Sequence, residues 1–506
     1  ACATNGQTKG NLSFKAECNN VFVDTANFSP NGLYVMPPDD FAITSPGIGL
    51  TVTGGVSGST TLQIGSGHTN TGTLSSIAGG TLNTASAACS FIGGGISNSI
   101  SSNYSQNAKH VIVGGNNNSI SGEYQSHTSV IVGGQDNTLS GAYNNFRFIG
   151  AGCNNTISDA LNRGVIVGGV SNTIDGSYGG PGAFIGAGEL NTVNSPGGII
   201  VGGCCNSAPG SNSGVFIGGG LRNKVSQAYS SIVGGTLNTS SVACSFIGGG
   251  ASNSISCCNA NSKFDIIVGG ENNTISNGYN SCNNTIVGGK NNTFSSPYVQ
   301  FGFIGGGCDN DIAGAALYSI IGGGSENYIQ GSNNFIGAGK CNCNVGFCAG
   351  IVSGERNEIP VNGLSFIGGG FTNCTIGQGS SIVGGCINSI SGYLNQQSFI
   401  GGGCCNSISG AYCKQSFIGG GCQNIISTTN NAVIVGGTLN TASAACSFIG
   451  GGSCNQTTAL NSSIVGGTLN IASGTCSFIG GGCKNLLSMP YSFIGGGSLN
   501  TASADS

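Results

Sequence analysis

A chain of 506 residues with 96 glycines, no tryptophan and a charged content of only 6% is not an ordinary multi-domain globular composition, so internal repetition has to be considered first. A net charge of −4 with 13 scattered Lys and Arg residues cannot neutralise a run of phosphates, which leaves nucleic acid out as an expected partner. No apolar run approaches the about 18 residues needed to span a bilayer, and the regular placement of the 38% apolar residues argues against a disordered Gly/Ser polymer.

In chain order, residues 1–48 lack any period, hold four of the ten prolines and contain short strand-like runs at Leu12-Ser13-Phe14 and Val21-Phe22-Val23. They are expected to form a small N-terminal β cap or joining module, with Cys2 and Cys18 as a candidate disulfide closing it. The opening Ala1-Cys2-Ala3-Thr4 reads as a mature, processed start.

From residue 49 to 506 the chain is one repeat. Asn83, Asn98, Asn118, Asn137, Asn155 and Asn172 begin a series of 26 equivalent positions that runs through Asn238 and Asn406 to Asn500, at spacings of 15 to 20 residues. A degenerate coil at Gln63-Ile64-Gly65-Ser66-Gly67 is expected before them. Six residues before each Asn stands Ile in all 26 units, among them Ile77, Ile92, Ile112, Ile247, Ile400 and Ile494, which predicts a stacked aliphatic core. Three before it stands Gly in every unit, including Gly80, Gly95, Gly115, Gly250 and Gly497, as a turn with positive φ demands. The Asn column is expected to stack on itself, each amide bonding the next coil. Two residues after the Asn a further apolar column follows.

These periods predict an all-β parallel β-solenoid, a β-roll of about 26–28 coils with 15–20 residues per coil. Stacked at about 4.8 Å per coil, it makes a rod roughly 130 Å long. Positions seven and five before the Asn covary: Phe goes with Gly, as in Phe91/Gly93 and Phe246/Gly248, whereas Ser or Val goes with Val, as in Ser231/Val233 and Val111/Val113. A strand apolar on both faces is expected to bury both, so Phe91, Phe246, Phe399, Phe448 and Phe493 mark a candidate intersubunit face of a homotrimer or filament. The alternative is a wider, triangular coil that keeps both faces inside.

The unit lengths 15, 20, 19, 18 and 17 occur from Asn83 to Asn172 and again from Asn238 to Asn327, 155 residues later, so a block of coils has been duplicated with its loops. The inserted residues fall at one edge and carry Tyr104, Tyr124, Tyr143, Tyr279 and Tyr298 among small polar residues, which suits either a contact ridge or a simple covering of the stack. The last unit is a full repeat, which is expected to leave a stacking edge or to follow removal of a further domain.

Twenty-four cysteines without metal-type spacing point to an oxidising, secreted or surface location. Cys386, Cys404 and Cys422 share one column in successive coils, so vertical disulfides fit their spacing, with the pairing open. Catalysis and cofactors are not expected. The 17 acidic residues are dispersed, with Asp39-Asp40 and Asp309 with Asp311 as the close groups, and His68, His110 and His127 sit in unrelated columns. Cys341-Asn342-Cys343 has no second pair to complete a metal site. A regular Thr array that would favour ice is not visible in the sequence.

The units Gly-Gly-Thr-Leu-Asn-Thr-Ala-Ser at 79–86 and 436–443, together with Ser-Phe-Ile-Gly-Gly-Gly, resemble the head repeats of trimeric autotransporter adhesins of the YadA type over roughly residues 60–506. That resemblance implies a left-handed β-roll, packing of three chains and a surface for cell-surface or matrix ligands. Similar repeats also look like those in fibres of phages and large viruses. The expected function is an extracellular structural fibre, with a receptor-binding fibre and an ice- or glycan-binding solenoid as alternatives.

Overall fold

The computed structural model describes residues 26–29, 32–35 and most of 62–503, omitting short stretches such as 103–108, 123–127 and 258–262. Two compact units divide the chain, 1–58 and 59–506. In the first, Ala26–Ser29 and Gly32–Val35 form an antiparallel hairpin. Cys2, Cys18 and the runs at 12–14 and 21–23 lie outside the described residues.

The second unit is a parallel β-solenoid whose two sheets hold 27 strands each among the described residues. Every coil supplies one short strand to each sheet, and each strand pairs in register with its equivalents one coil before and one coil after. In the first sheet Ile77 pairs with Ile92 and Ile92 with Ile112; in the second, Ile100 pairs with Ile120. Alternation of side chains along a strand then decides what is buried. The Ile of the first strand and the apolar residue two after the Asn point inward, and Ile77, Ile92, Ile112, Ile247 and Ile400 are fully buried. Ile494, in the last coil, is 9% exposed. Burying one such side chain contributes about 1.5–3 kcal/mol.

Most coils turn through two corners that no sequence column announces. The residue before the ladder Asn and, in most coils, the residue nine before it are left-handed, for example Leu237 at φ 58° and Cys244 at φ 57°. Most backbone N–H groups donate forward to the next coil, as Thr236 does to Gly250 at 2.9 Å, but at these corners the peptide is flipped and donates backward. Leu237 N–H bonds the Leu221 carbonyl at 2.8 Å and Cys244 N–H the Ala228 carbonyl at 2.9 Å. A left-handed L-residue costs about 1–2 kcal/mol, and the hydrogen bond to the preceding coil offsets it. Leu, Ser, Asn, Asp, Cys and Arg all occupy the corner before the Asn because their side chains face outward.

The turn between the strands is built on Gly and Asn together. Asn238 Nδ2 donates to the Gly234 carbonyl in its own turn and to the Gly250 carbonyl of the next coil, both at 3.0 Å, while its Oδ1 accepts the Asn253 N–H at 2.9 Å. The same set recurs at Asn83, Asn98, Asn118 and Asn406. At the far end, Asn500 keeps the bond from its N–H to Asn485 Oδ1 and its own-turn bond to Gly496. The column is therefore a buried polar spine whose amides bond chiefly to main-chain groups. Direct amide-to-amide contacts are added in some coils, as from Asn118 Nδ2 to Asn98 Oδ1. The Gly three residues earlier has φ between 89° and 99° at Gly80, Gly95, Gly115, Gly250 and Gly497.

The first described coil is degenerate, as expected, and departs from the pattern of the others. Gln63, rather than Ile64, pairs with Ile77, and Ile64 faces outward. His68 takes the ladder position: its Nδ1 accepts the Asn83 N–H at 3.0 Å, leaving Nε2 to donate to the Ile64 carbonyl at 3.0 Å. The spacing Gly65-x-x-His68 copies Gly-x-x-Asn, a signal that the aligned Asn column hides.

Candidate functional site: the outward faces

Strand alternation leaves three columns facing out, and they define the surfaces able to meet another molecule. On the first strands, the residues seven and five before the Asn form an apolar stripe along the stack. Val113, Val201, Val233, Val268, Phe246 and Phe303 are 37–50% exposed. Phe91 is similarly exposed and Phe493, in the last coil, reaches 70%, while Phe399 and Phe448 are half-buried. The rings stack coil on coil where Phe follows Phe: Phe399 and Phe417 lie 5.4 Å apart and Phe478 and Phe493 5.3 Å apart, nearly parallel. These positions lie on the outside of the coil, so the chain does not form the triangular section that encloses both faces.

The glycine of the Phe–Gly pair has a cause in the stacking of the coils. A Cβ on Gly248 would lie 2.3 Å from the Val268 carbonyl oxygen of the next coil, while the ring of Phe246, with Cε1 at 3.4 Å, makes only an ordinary contact with it. Gly93, Gly150 and Gly186 show the same arrangement with Phe91, Phe148 and Phe184. The covariation by itself therefore carries no partner. Gly248→Val is expected to cost more than about 3 kcal/mol, because the added Cβ meets the Val268 backbone oxygen of the next coil, and Phe246→Ser on the same chain should recover little of that loss. A double-mutant cycle by urea unfolding measures it; a large recovery would mean that the ring, and not the next coil, excludes the side chain.

The outer face of the second strands carries a mixed column of Ser and Thr, with Thr on at most four successive rungs. The residue after the ladder Asn is Ser or Thr on every rung from Thr69 to Thr293 except Lys224. Thr138, Thr156, Thr173 and Thr192 stand in register on successive rungs. Two residues on, a column rich in Ser runs parallel to it, and several of these hydroxyls are tied to the next rung, as Ser276 is to the Phe294 carbonyl at 3.0 Å. Its members lie 15 to 20 residues apart in the sequence, at the spacings of the ladder Asn. Beyond Asp311 the pattern lapses into Tyr328, Cys343, Glu358 and Cys374.

The turn edge carries the third column, two residues before the Asn, where parallel bridges join Cys386 to Cys404 and Cys404 to Cys422. The charges near it are mixed and sparse, with a Lys290–Glu271 ion pair at 3.1 Å. Among the described residues all 20 cysteines are thiols, and no group of three His, Cys, Asp or Glu residues has metal-binding geometry. Cys343 and Cys374 are pushed up to about 11 by burial first and then by Glu358, which makes them poor nucleophiles. Asp309 is held below its usual range by hydrogen bonds from Cys308 and Asn291, whereas burial raises Asp311 despite its bond from Ser295. These two carboxyls thus answer to separate local partners. Tyr298 is exposed, while Tyr104, Tyr124, Tyr143 and Tyr279, together with His127 and Asp39-Asp40, lie outside the described residues.

A buried polar column eight before the Asn went unread in the sequence because Ser is common everywhere. Ser90 and Ser245 close the corner by donating to the Ala87 and Val242 carbonyls at 2.7 Å. The same column holds His110, Asp265, Asn284 and Arg147, all buried. Asp265 Oδ1 accepts the Asn284 N–H at 3.0 Å, and the Arg147 guanidinium, which bonds the Ser140 and Ile157 carbonyls, is brought down to about 10 by desolvation. Comparison with known proteins gives no match to a family model and none to a curated sequence.

Proposed function

We propose that this chain is an extracellular structural rod that associates side by side with copies of itself through the outer face of its first strands, building a fibre. One observation carries the reading: an exposed apolar stripe that follows the stack of 27 coils. At about 4.8 Å per rung and one strand face roughly 7–10 Å wide, the stripe offers on the order of 1,000 Å² per partner, against about 800 Å² in a standard stable interface. The resemblance of the repeats to YadA-type heads, where three chains pack into one rod, supports the same arrangement, and the resemblance to phage and virus fibres supports a rod that carries contacts at a distance. The cysteine-rich, charge-poor composition supports a secreted, cell-surface or virion-surface location, with cell-surface or matrix ligands as further partners.

Sedimentation velocity and negative-stain imaging of the whole chain test this. The wild type should form trimers or longer bundles, and Val233→Lys with Val268→Lys and Val287→Lys should release single rods of unchanged β content. Single rods of the wild type at every concentration would overturn the proposal.

The hydroxyl ladder favours a second reading, a surface for ice or a crystalline glycan. Its side chains repeat at about 4.8 Å along the stack and about 6.6 Å along the strand. Under that reading, Thr156→Lys with Thr173→Lys abolishes inhibition of ice recrystallisation or binding to the glycan, while the three valine variants leave it intact. A wild type inactive in both assays removes this reading.

A further inference from the structure

We propose that Cys386 and Cys404 are a thiol–disulfide modification site: a small-molecule disulfide oxidises them to a staple between successive coils. Cys386, Cys404 and Cys422 are the one place among the described residues where three consecutive coils put Cys in the same column, joined by parallel bridges. All three are half-buried at the turn edge, where a reagent can reach them.

Geometry selects one pair from the four nearby thiols. Cys404 contacts Cys405 at 3.2 Å between sulfurs, but sequence neighbours have Cα atoms about 3.8 Å apart, below the roughly 4.4–6.8 Å that an unstrained disulfide accepts. Parallel neighbours on successive rungs, at about 4.8 Å, fall inside that window. Of the two such neighbours, Cys386 is the one whose thiol perturbs that of Cys404, pushing it up.

The chemistry balances as an exchange. The Cys386 thiolate attacks the small disulfide, forming a mixed disulfide and releasing one small thiol. The Cys404 thiolate then attacks the Cys386 sulfur, forming the rung-to-rung bond and releasing the second. Two electrons pass from the protein to the small disulfide, and the two protein protons end on the released thiols. The order follows from the local bonds: the Cys404 thiol is pushed up to about 12 by its hydrogen bond with Cys386 first and Cys405 next, so it is a poor initiator. Capping Cys386 removes the first of those bonds and frees Cys404 to resolve.

The whole protein is equilibrated in buffers of oxidised and reduced glutathione, its remaining thiols are alkylated, and the chain is cut with trypsin and chymotrypsin for mass spectrometry. The result expected is a peptide joining Cys386 to Cys404 that appears as the buffer becomes more oxidising, with a matching loss of alkylated Cys404. In Cys422→Ser the linkage should persist. In Cys386→Ser it should vanish while circular dichroism still reports the solenoid. Cys404 recovered alkylated in every buffer, or joined to Cys405 or Cys422, would overturn the assignment.

Discussion

Asn238→Ala is expected to lower the stability of the solenoid by about 2–6 kcal/mol, because it leaves two main-chain groups without partners at about 1–3 kcal/mol each. Those groups are the Gly234 carbonyl and the Asn253 N–H, bonded to the one amide at 3.0 and 2.9 Å; the Gly250 carbonyl loses one of two donors and keeps the Thr236 N–H at 2.9 Å. Alanine supplies neither donor nor acceptor, and nothing on the neighbouring coils reaches the site, since the column is fully buried. The comparison is Asn272→Ala, two coils on and just outside the spine, whose exposed side chain bonds Asn291. It should change stability by less than about 0.5 kcal/mol. Urea unfolding followed by circular dichroism separates the two, and amide exchange should show the lost protection centred on the coils of Asn238 and Asn253, since each coil touches chiefly its neighbours. Equal, small effects from both substitutions would remove the polar spine as a source of stability.

What could be read from the sequence follows the strength of each constraint. The Ile and Gly columns were legible because a dry interior and a left-handed turn each admit one residue type at each coil, so the period shows through variable loops. The ladder Asn was legible as a column, although its partners are mostly backbone atoms of its own turn and of the next coil. The corners at Leu237 and Cys244 were not legible, because their constraint falls on the backbone and their side chains face outward. His68 was missed because a ring nitrogen can do the acceptor work of an amide oxygen without sharing its letter. The Thr and Ser ladder follows each ladder Asn by one residue and was missed because Ser and Thr are common throughout the chain. The Phe–Gly pairing was visible, but only atomic contacts could assign its glycine to the backbone oxygen of the next coil.

Adjacent glycines in one turn offer the sharpest test of how the coil is held. At Gly250 φ is 89°, and a Cβ would fall 2.0 Å from the Gly270 carbonyl oxygen and 2.7 Å from Nδ2 of Asn253. The oxygen belongs to the backbone of the next coil and cannot step aside without lifting the whole rung. Gly250→Ala is therefore expected to combine the left-handed penalty of about 1–2 kcal/mol with the opening of a coil-to-coil contact, for a loss above about 4 kcal/mol. At Gly249, one residue earlier, nothing lies within 4 Å of the same added atom. Gly249→Ala removes backbone freedom from the unfolded chain and adds no clash, so its effect should lie within about 1 kcal/mol of zero and on the stabilising side. Two chains that differ only in which of two neighbouring glycines gained a methyl group should thus unfold at well-separated urea midpoints. Coincident midpoints would mean that the coils can move apart far enough to admit a methyl group, and the close stacking on which the rod depends would have to be abandoned.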